Sequence, residues 1–130
     1  MSVGEAAPPT GEPAIRVVAM PADTNPNGDI FGGWLVSMMD LAAGTVASRH
    51  SRGRAATVAI DAMTFHRPVK VGDVVSVYAA LVSVGRTSMK FDVAAWRRSR
   101  DGAEQEKVTQ ATITFVAICD DGQPRVIAEQ

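Results

Sequence analysis

A chain of 130 residues with 46% hydrophobic residues, 21% charged residues and a net charge of −1 has the make-up of one globular domain. No apolar run free of charges and polar breaks reaches the roughly 18 residues of a membrane span, and an acidic balance without an aromatic–basic module argues against nucleic acid as a partner. The lone Cys119 permits no intrachain disulfide and fits a reducing cytoplasm.

In chain order, residues 1–14 (MSVGEAAPPTGEPA) lack the basic and apolar regions of a secretory signal, and their Pro, Gly, Glu and Ala content reads as a disordered lead-in. Residues 15–20 are short, β-branched and bounded by Pro13 and Pro21, which predicts a first strand. Residues 21–29 concentrate Pro, Asn, Asp and Gly, the chemistry of a loop. A helix then opens near Gly32 or Gly33. From Trp34 to Ser48 it reads WLVSMMDLAAGTVAS, apolar on every side and carrying no charge except Asp40. Such a helix is expected to be buried all round, and at about 17 residues it is roughly 25 Å long. It ends in a basic, Gly-containing stretch at residues 49–54, which suits the negative end of its dipole.

Beyond the helix the pattern is β. Residues 56–65 are apolar on both faces, which predicts a central strand. After Pro68 and a turn at residues 70–73, residues 73–84 form a second long strand. Gly85-Arg86 fits a type II′ hairpin. Residues 87–97 alternate, with Met89, Phe91, Val93 and Ala95 on the inner face. A second hairpin signal, Arg100-Asp101-Gly102, leads to a last strand over residues 107–119. Short connections make neighbouring strands antiparallel. The expectation is an α+β fold in which about five strands curl around one long helix. A small sheet of that kind leaves open edges and a helix surface to cover, which points to self-association about a two-fold axis.

Charge is unevenly placed. Residues 49–100 hold ten Lys or Arg against three Asp, a local +7 that leaves −8 for the remainder. This fits either an anionic partner or solvated strand faces and loop ends. Phosphate-binding glycine loops and a G-x-S-x-G nucleophile elbow are absent. The two histidines, His50 and His66, fall in different elements and make no metal motif; His66 reads as an ordinary rim residue. Trp34, Phe31, Met38 and Met39 read as packing. What remains is Asn25, Gly32-Gly33 and Asp40. Glycines opening a helix expose N–H groups at the positive end of the dipole, an arrangement that suits an oxyanion. A carboxylate on an apolar helix must be paired, protonated or facing a cleft. Asp40 lies two turns, roughly 10–12 Å, from Gly32 along the axis. One copy of the chain is therefore not expected to bring both to one carbonyl carbon, whereas two copies could. Asn25 reads by composition as a turn residue whose amide caps its own loop.

The runs AMPADTNPNGDIFGGWLVSMMD, TVAIDAMTFHRPVKVGDVV, VGRTS and TQATITFVAI, in this order, resemble the hot-dog-fold acyl-CoA thioesterases of the branch containing YciA and brain acyl-CoA hydrolase. The likeness spans residues 15–125, between the lead-in and a short tail at 126–130. It implies a central helix wrapped by an antiparallel sheet, and dimers assembling as a trimer of dimers, a hexamer. It also implies hydrolysis of acyl-CoA to a free carboxylic acid and coenzyme A, in fatty acid metabolism, with no metal or prosthetic group. By the same resemblance Asp40 is the catalytic acid, acting as general base or as nucleophile, and Asn25 works opposite it from the partner subunit. The backbone N–H near Gly33 polarises the thioester carbonyl, with Gly32 beside it. Met63, Thr64 and Phe65 line the thioester channel. Gly85, Arg86, Thr87 and Ser88 contact pantetheine and phosphate, and Arg97 and Arg98 add positive charge for the nucleotide. Relatives with C-terminal tails close the nucleotide site with them; this sequence departs from them by stopping at Gln130, which bears on nucleotide affinity. Three alternatives stand beside hydrolysis of acyl-CoA. They are a non-catalytic acyl-CoA binder, a thioesterase for carrier-protein-bound acyl groups, and a dehydratase or isomerase. The last usually needs a His near the helix, and none lies before residue 50.

Overall fold

The alternation along residues 87–97 becomes the middle of the sheet. The computed structural model describes residues 7–127. Its elements are β1 (Ile15–Val18), a 3-10 turn (Pro21–Asp23), α1 (Gly32–Ser51), β2 (Ala55–Phe65), β3 (Val74–Val84), β4 (Ser88–Arg98) and β5 (Glu106–Ala117). One sheet in the order β1-β3-β4-β5-β2 holds every strand, antiparallel at each pairing. This is the hot-dog arrangement. The inner row of β4, Met89, Phe91, Val93 and Ala95, is fully buried. It meets Leu35, Met39, Ala42, Ala43 and Ala47 of α1. Three alanines in that row let the helix lie close to the sheet. Phe91 and Phe115 meet edge to face with ring centroids 5.8 Å apart, a favoured aromatic geometry.

Three expectations are corrected. β2 is an edge strand, not a central one. Two register shifts, around Val58 and around Ala62-Met63, interrupt its pairing with β5. Each inserted residue reverses the alternation, so apolar side chains fall on both faces without a second neighbour on the outer edge. Val58 and Ile60 stay 57% and 40% exposed. The helix, in turn, is buried on one side only. Gly33, Ser37, Leu41, Thr45 and Ser48 form an exposed stripe, with Leu41 at 55%. Its continuous apolar run therefore reflects one face on the sheet and another left for something else to cover. Lastly, the β3–β4 hairpin is not type II′. Gly85 and Ser88 close it through a 2.8 Å N–H···O bond with Arg86-Thr87 between them, and no residue there has a positive φ.

Of the lead-in, residues 1–6 lie outside the described residues. The chain from residue 7 is irregular until Ala14 donates to the Val77 carbonyl at 2.8 Å, one step ahead of β1. At the other end Arg125 secures the C-terminus of α1, donating to the carbonyls of Ser51 at 2.8 Å and Arg54 at 3.0 Å. Ile127 then donates to the Arg86 carbonyl at 2.8 Å; residues 128–130 lie outside the described residues. No helix among the described residues is long and apolar enough to cross a membrane.

Since Phe91 joins the helix row to Phe115, Phe91→Ala is expected to destabilise the fold by about 3–5 kcal/mol, read from urea denaturation midpoints at unchanged slope.

Candidate active site

Local hydrogen bonding in the 21–29 loop decides where α1 begins. Met20 N–H is capped by the Asp23 carboxylate at 3.1 Å, and Thr24 Oγ1 donates to the Pro21 carbonyl at 2.8 Å. Asn25 Oδ1 accepts from the N–H groups of Asn27 at 2.9 Å and Asp29 at 3.1 Å. The turn needs a positive φ at residue 28, and Gly28 supplies it at +88°. Ile30 and Phe31 are then held by the carbonyls of Val69 and Asp23 at 3.0 and 3.1 Å. Asn25 thus has the loop-capping role that composition favoured. Its amide nitrogen makes no hydrogen bond among the described residues.

Phe31 is the N-cap and offers no side-chain oxygen, and the first turn of α1 contains no acid. Trp34 N–H bends back to the Phe31 carbonyl at 3.1 Å. The Gly32 and Gly33 N–H groups have no partner among the described residues, so the positive end of the dipole is bare. Both glycines sit where a side chain would be tight. A Cβ at Gly32 would stand 3.2 Å from the Phe65 ring, and one at Gly33 would stand 3.3 Å from the Phe31 ring. A cleft of about 390 Å³ opens here. Its floor is Ile30, Leu35 and Val69, and Asn25, Asp29, Gly32, Phe65, His66 and Arg67 line the rest. His66, set aside in the sequence as a rim residue, is part of this lining. Its position directly after Phe65 was the available signal.

Asp40 lies elsewhere on α1 and does not line that cleft. One turn further along the helix, Gly44 faces the Phe115 ring, where a Cβ would lie at 3.6 Å, an ordinary contact. Phe115 pairs across the ladder with Thr57 of β2, and Thr57 Oγ1 donates to Asp40 Oδ1 at 2.5 Å. That is the only hydrogen bond of Asp40 among the described residues. The carboxylate is half-buried beside the open edge of β2, not sealed in the core. Such an acid keeps free lone pairs for a water molecule or an approaching carbonyl carbon.

The remaining candidates fall in three places. Met63 is half-buried against the core, and the Thr64 carbonyl accepts from Thr109 Oγ1 at 2.7 Å, so with Phe65 they form the end of β2 nearest the cleft. Gly85, Arg86, Thr87 and Ser88 sit at the opposite end of β4 from Arg97 and Arg98, about 30 Å away along the strand. These two sets are not brought together within one copy. Arg97 donates to Asp73 at 2.7 and 3.2 Å and pairs with Glu106. The hydrogen bond to Asp73 outweighs burial and raises the Arg97 guanidinium above its usual range. Arg98 donates to the carbonyls of Ser99, Arg100 and Gly102. Much of the positive surplus is thus engaged within the sheet and its turns, while Arg86 remains exposed. Among the described residues, no cluster of three or more His, Cys, Asp or Glu could hold a metal ion.

Comparison with known proteins supports the fold. Residues 27–104 match the model of the thioesterase superfamily. An uncharacterized acyl-CoA thioester hydrolase of Zymomonas mobilis is 59% identical, over 89% of this chain and 78% of its own length. The acyl-CoA thioester hydrolase YciA of Salmonella typhimurium is 46% identical over 94% of each chain. The crystal structure of a hexameric thioesterase from Yersinia pestis superposes with a TM-score of 0.89 at 44% identity, covering 94% of this chain and 99% of that one.

The two uses of Asn25 can be separated by substitution. Asn25→Ala removes the acceptor for two loop N–H groups and is expected to lower stability by about 1–2 kcal/mol. Asn25→Asp keeps that acceptor and should hold the thermal midpoint within a few degrees of wild type in a melting experiment.

Proposed function

This chain belongs to the thioesterase superfamily, and from that membership we propose that it hydrolyses acyl-CoA thioesters, releasing a free carboxylic acid and coenzyme A. The observation that carries the reading is a separation. Gly32, followed by the equally bare amide of Gly33, lines one cleft, while Asp40 stands about 12 Å further along α1, beside an unpaired strand edge. Neither half suffices alone for attack on a carbonyl.

A second copy supplies the missing half if the two β2 edges pair. An antiparallel pairing about a two-fold axis through the middle of β2, near Asp61, sets Thr57 of one copy opposite Phe65 of the other. Asp40, held by Thr57, then comes to the partner's cleft, beside Gly32, Gly33 and Asn25. The same step covers Val58, Ile60 and the Leu41 stripe and removes an exposed strand edge, a standing aggregation hazard. The hexameric state of the Yersinia pestis relative supports self-association, and we extend the proposal to a trimer of such dimers.

In this site the thioester oxygen accepts from the backbone N–H of Gly33, aided by Gly32, as negative charge builds on it. The Asn25 amide nitrogen faces the same carbonyl from the copy opposite Asp40. Asp40 takes a proton from water, which attacks the carbonyl carbon; the C–S bond breaks and coenzyme A departs as the thiol or thiolate. General-base action is favoured over direct attack, since Thr57 already engages one carboxylate oxygen and leaves the other for a water molecule. Coenzyme A is part of substrate and product here, not a cofactor, and the lone Cys119 fits a reducing cytoplasm. Arg86 at the exposed hairpin is the preferred phosphate contact, ahead of Arg97 and Arg98, whose guanidinium groups are already engaged.

Asp40→Asn keeps the shape and one hydrogen bond to Thr57 but removes the base. Thiol release from a panel of acyl-CoA esters of increasing length is expected to fall at least ~10²-fold, with the assembly unchanged by light scattering. Undiminished turnover would remove Asp40 from the mechanism.

A further inference from the structure

The polar rim of the cleft is almost fully committed within the chain. Asn25 Oδ1 holds the N–H groups of Asn27 and Asp29. Asp29 pairs with Lys70. Arg67 donates to the Lys107 carbonyl at 3.0 Å and pairs with Glu106 at 3.2 Å. Beside the Gly32 N–H, two side-chain groups are left uncommitted among the described residues: the Asn25 amide nitrogen, already assigned to the carbonyl, and the His66 ring. The His66 backbone is pinned, since its N–H donates to the Val108 carbonyl at 2.8 Å, and Pro68 limits the chain two residues on. Its side chain is nevertheless exposed. A fixed backbone with an unengaged imidazole in the lining of a cleft is placed to meet a ligand.

Which part of the ligand follows from the shape. The floor, Ile30, Leu35 and Val69, is core and only 6%, 2% and 1% exposed. The cleft is closed on that side and cannot pass the long, charged arm of coenzyme A, which must lead to solvent. With the thioester oxygen at Gly32 and Gly33, the acyl group is what enters, and its first carbons run past Phe65 and His66. A neutral imidazole presents one donor and one acceptor, the complement of a hydroxyl group. We propose that His66 is a specificity-determining residue, selecting acyl-CoA esters that carry a hydroxyl close to the thioester over their unsubstituted counterparts. This rests on the thioesterase reading of the cleft.

The test is kcat/KM by thiol release for 3-hydroxybutanoyl-CoA and butanoyl-CoA, with wild type, His66→Leu and His66→Gln. Wild type is expected to favour the hydroxylated ester by about tenfold, the scale of one net hydrogen bond. His66→Leu should bring the ratio to about one or invert it. His66→Gln, which keeps a donor and an acceptor, should retain most of the preference. Since His66 is exposed, all three proteins should give the same circular dichroism spectrum. Thiol release from both esters at a ratio that neither substitution moves overturns the role of His66 and leaves the thioesterase reading standing. No thiol release from either ester by wild type overturns both.

Discussion

Gly44 of α1 faces the ring of Phe115, where a Cβ would sit at an ordinary 3.6 Å, and this contact of helix and sheet helps to position the candidate chemistry. Phe115 is held in β5 by its edge-to-face meeting with Phe91 in the core. Its cross-strand partner on β2 is Thr57, and one turn back from Gly44 on the same helix is Asp40. The Thr57–Asp40 hydrogen bond is therefore set by the packing of the core, not by a flexible loop. Alanine at 44 would fit against the ring, whereas a bulkier side chain would press on it and shift the helix with its carboxylate. Positioning through rigid elements is what a catalytic acid needs, because small displacements are costly in rate.

The same architecture explains why two copies are invoked. One helix and five strands give a core that is complete on one side and open on the other. β2 has hydrogen-bonding groups along an outer edge with no neighbour among the described residues, and Val58, Ile60 and Leu41 are exposed. The electrostatics run in parallel: an N-terminus without an acid or a capping side chain, close to a loop built by Asn25, attracts a developing negative charge. The acid that would answer it stands two turns away in its own chain. Pairing of β2 with its own copy would bury the apolar edge and join the two halves in a single step.

Much of this was legible in the sequence, for physical reasons that differ by element. The alternation in β4 fixed which residues face the core, because period two has only one solution once a sheet has a covered side. The turn chemistry of residues 21–29 and the glycines at 32 and 33 marked the loop and the start of the helix. The place of β2 was not legible. Its bulges at Val58 and Ala62 mix inward and outward residues, and an edge awaiting a partner has the same composition as a central strand. The exposed stripe of α1 was hidden for a related reason, since Leu41 reads as core wherever it is finally buried. Arg97 could not be told from a phosphate ligand until Asp73 and Glu106 were seen on either side of it. His66 was missed because a single histidine at a strand end carries no pattern; only the committed state of its neighbours distinguishes it.

The central claim is that each active site draws Asp40 from one copy and Asn25 from the other, and mixing two inactive variants tests it directly. Asp40→Asn and Asn25→Asp proteins would be unfolded, combined in equal amounts and refolded together, with acyl-CoA thiol release measured against each variant refolded alone. Random pairing into two-fold dimers places both native residues in about a quarter of the sites, so activity should return to roughly that fraction of wild type. Activity no higher than that of the separate variants, in a mixture shown to contain mixed oligomers, would contradict the account.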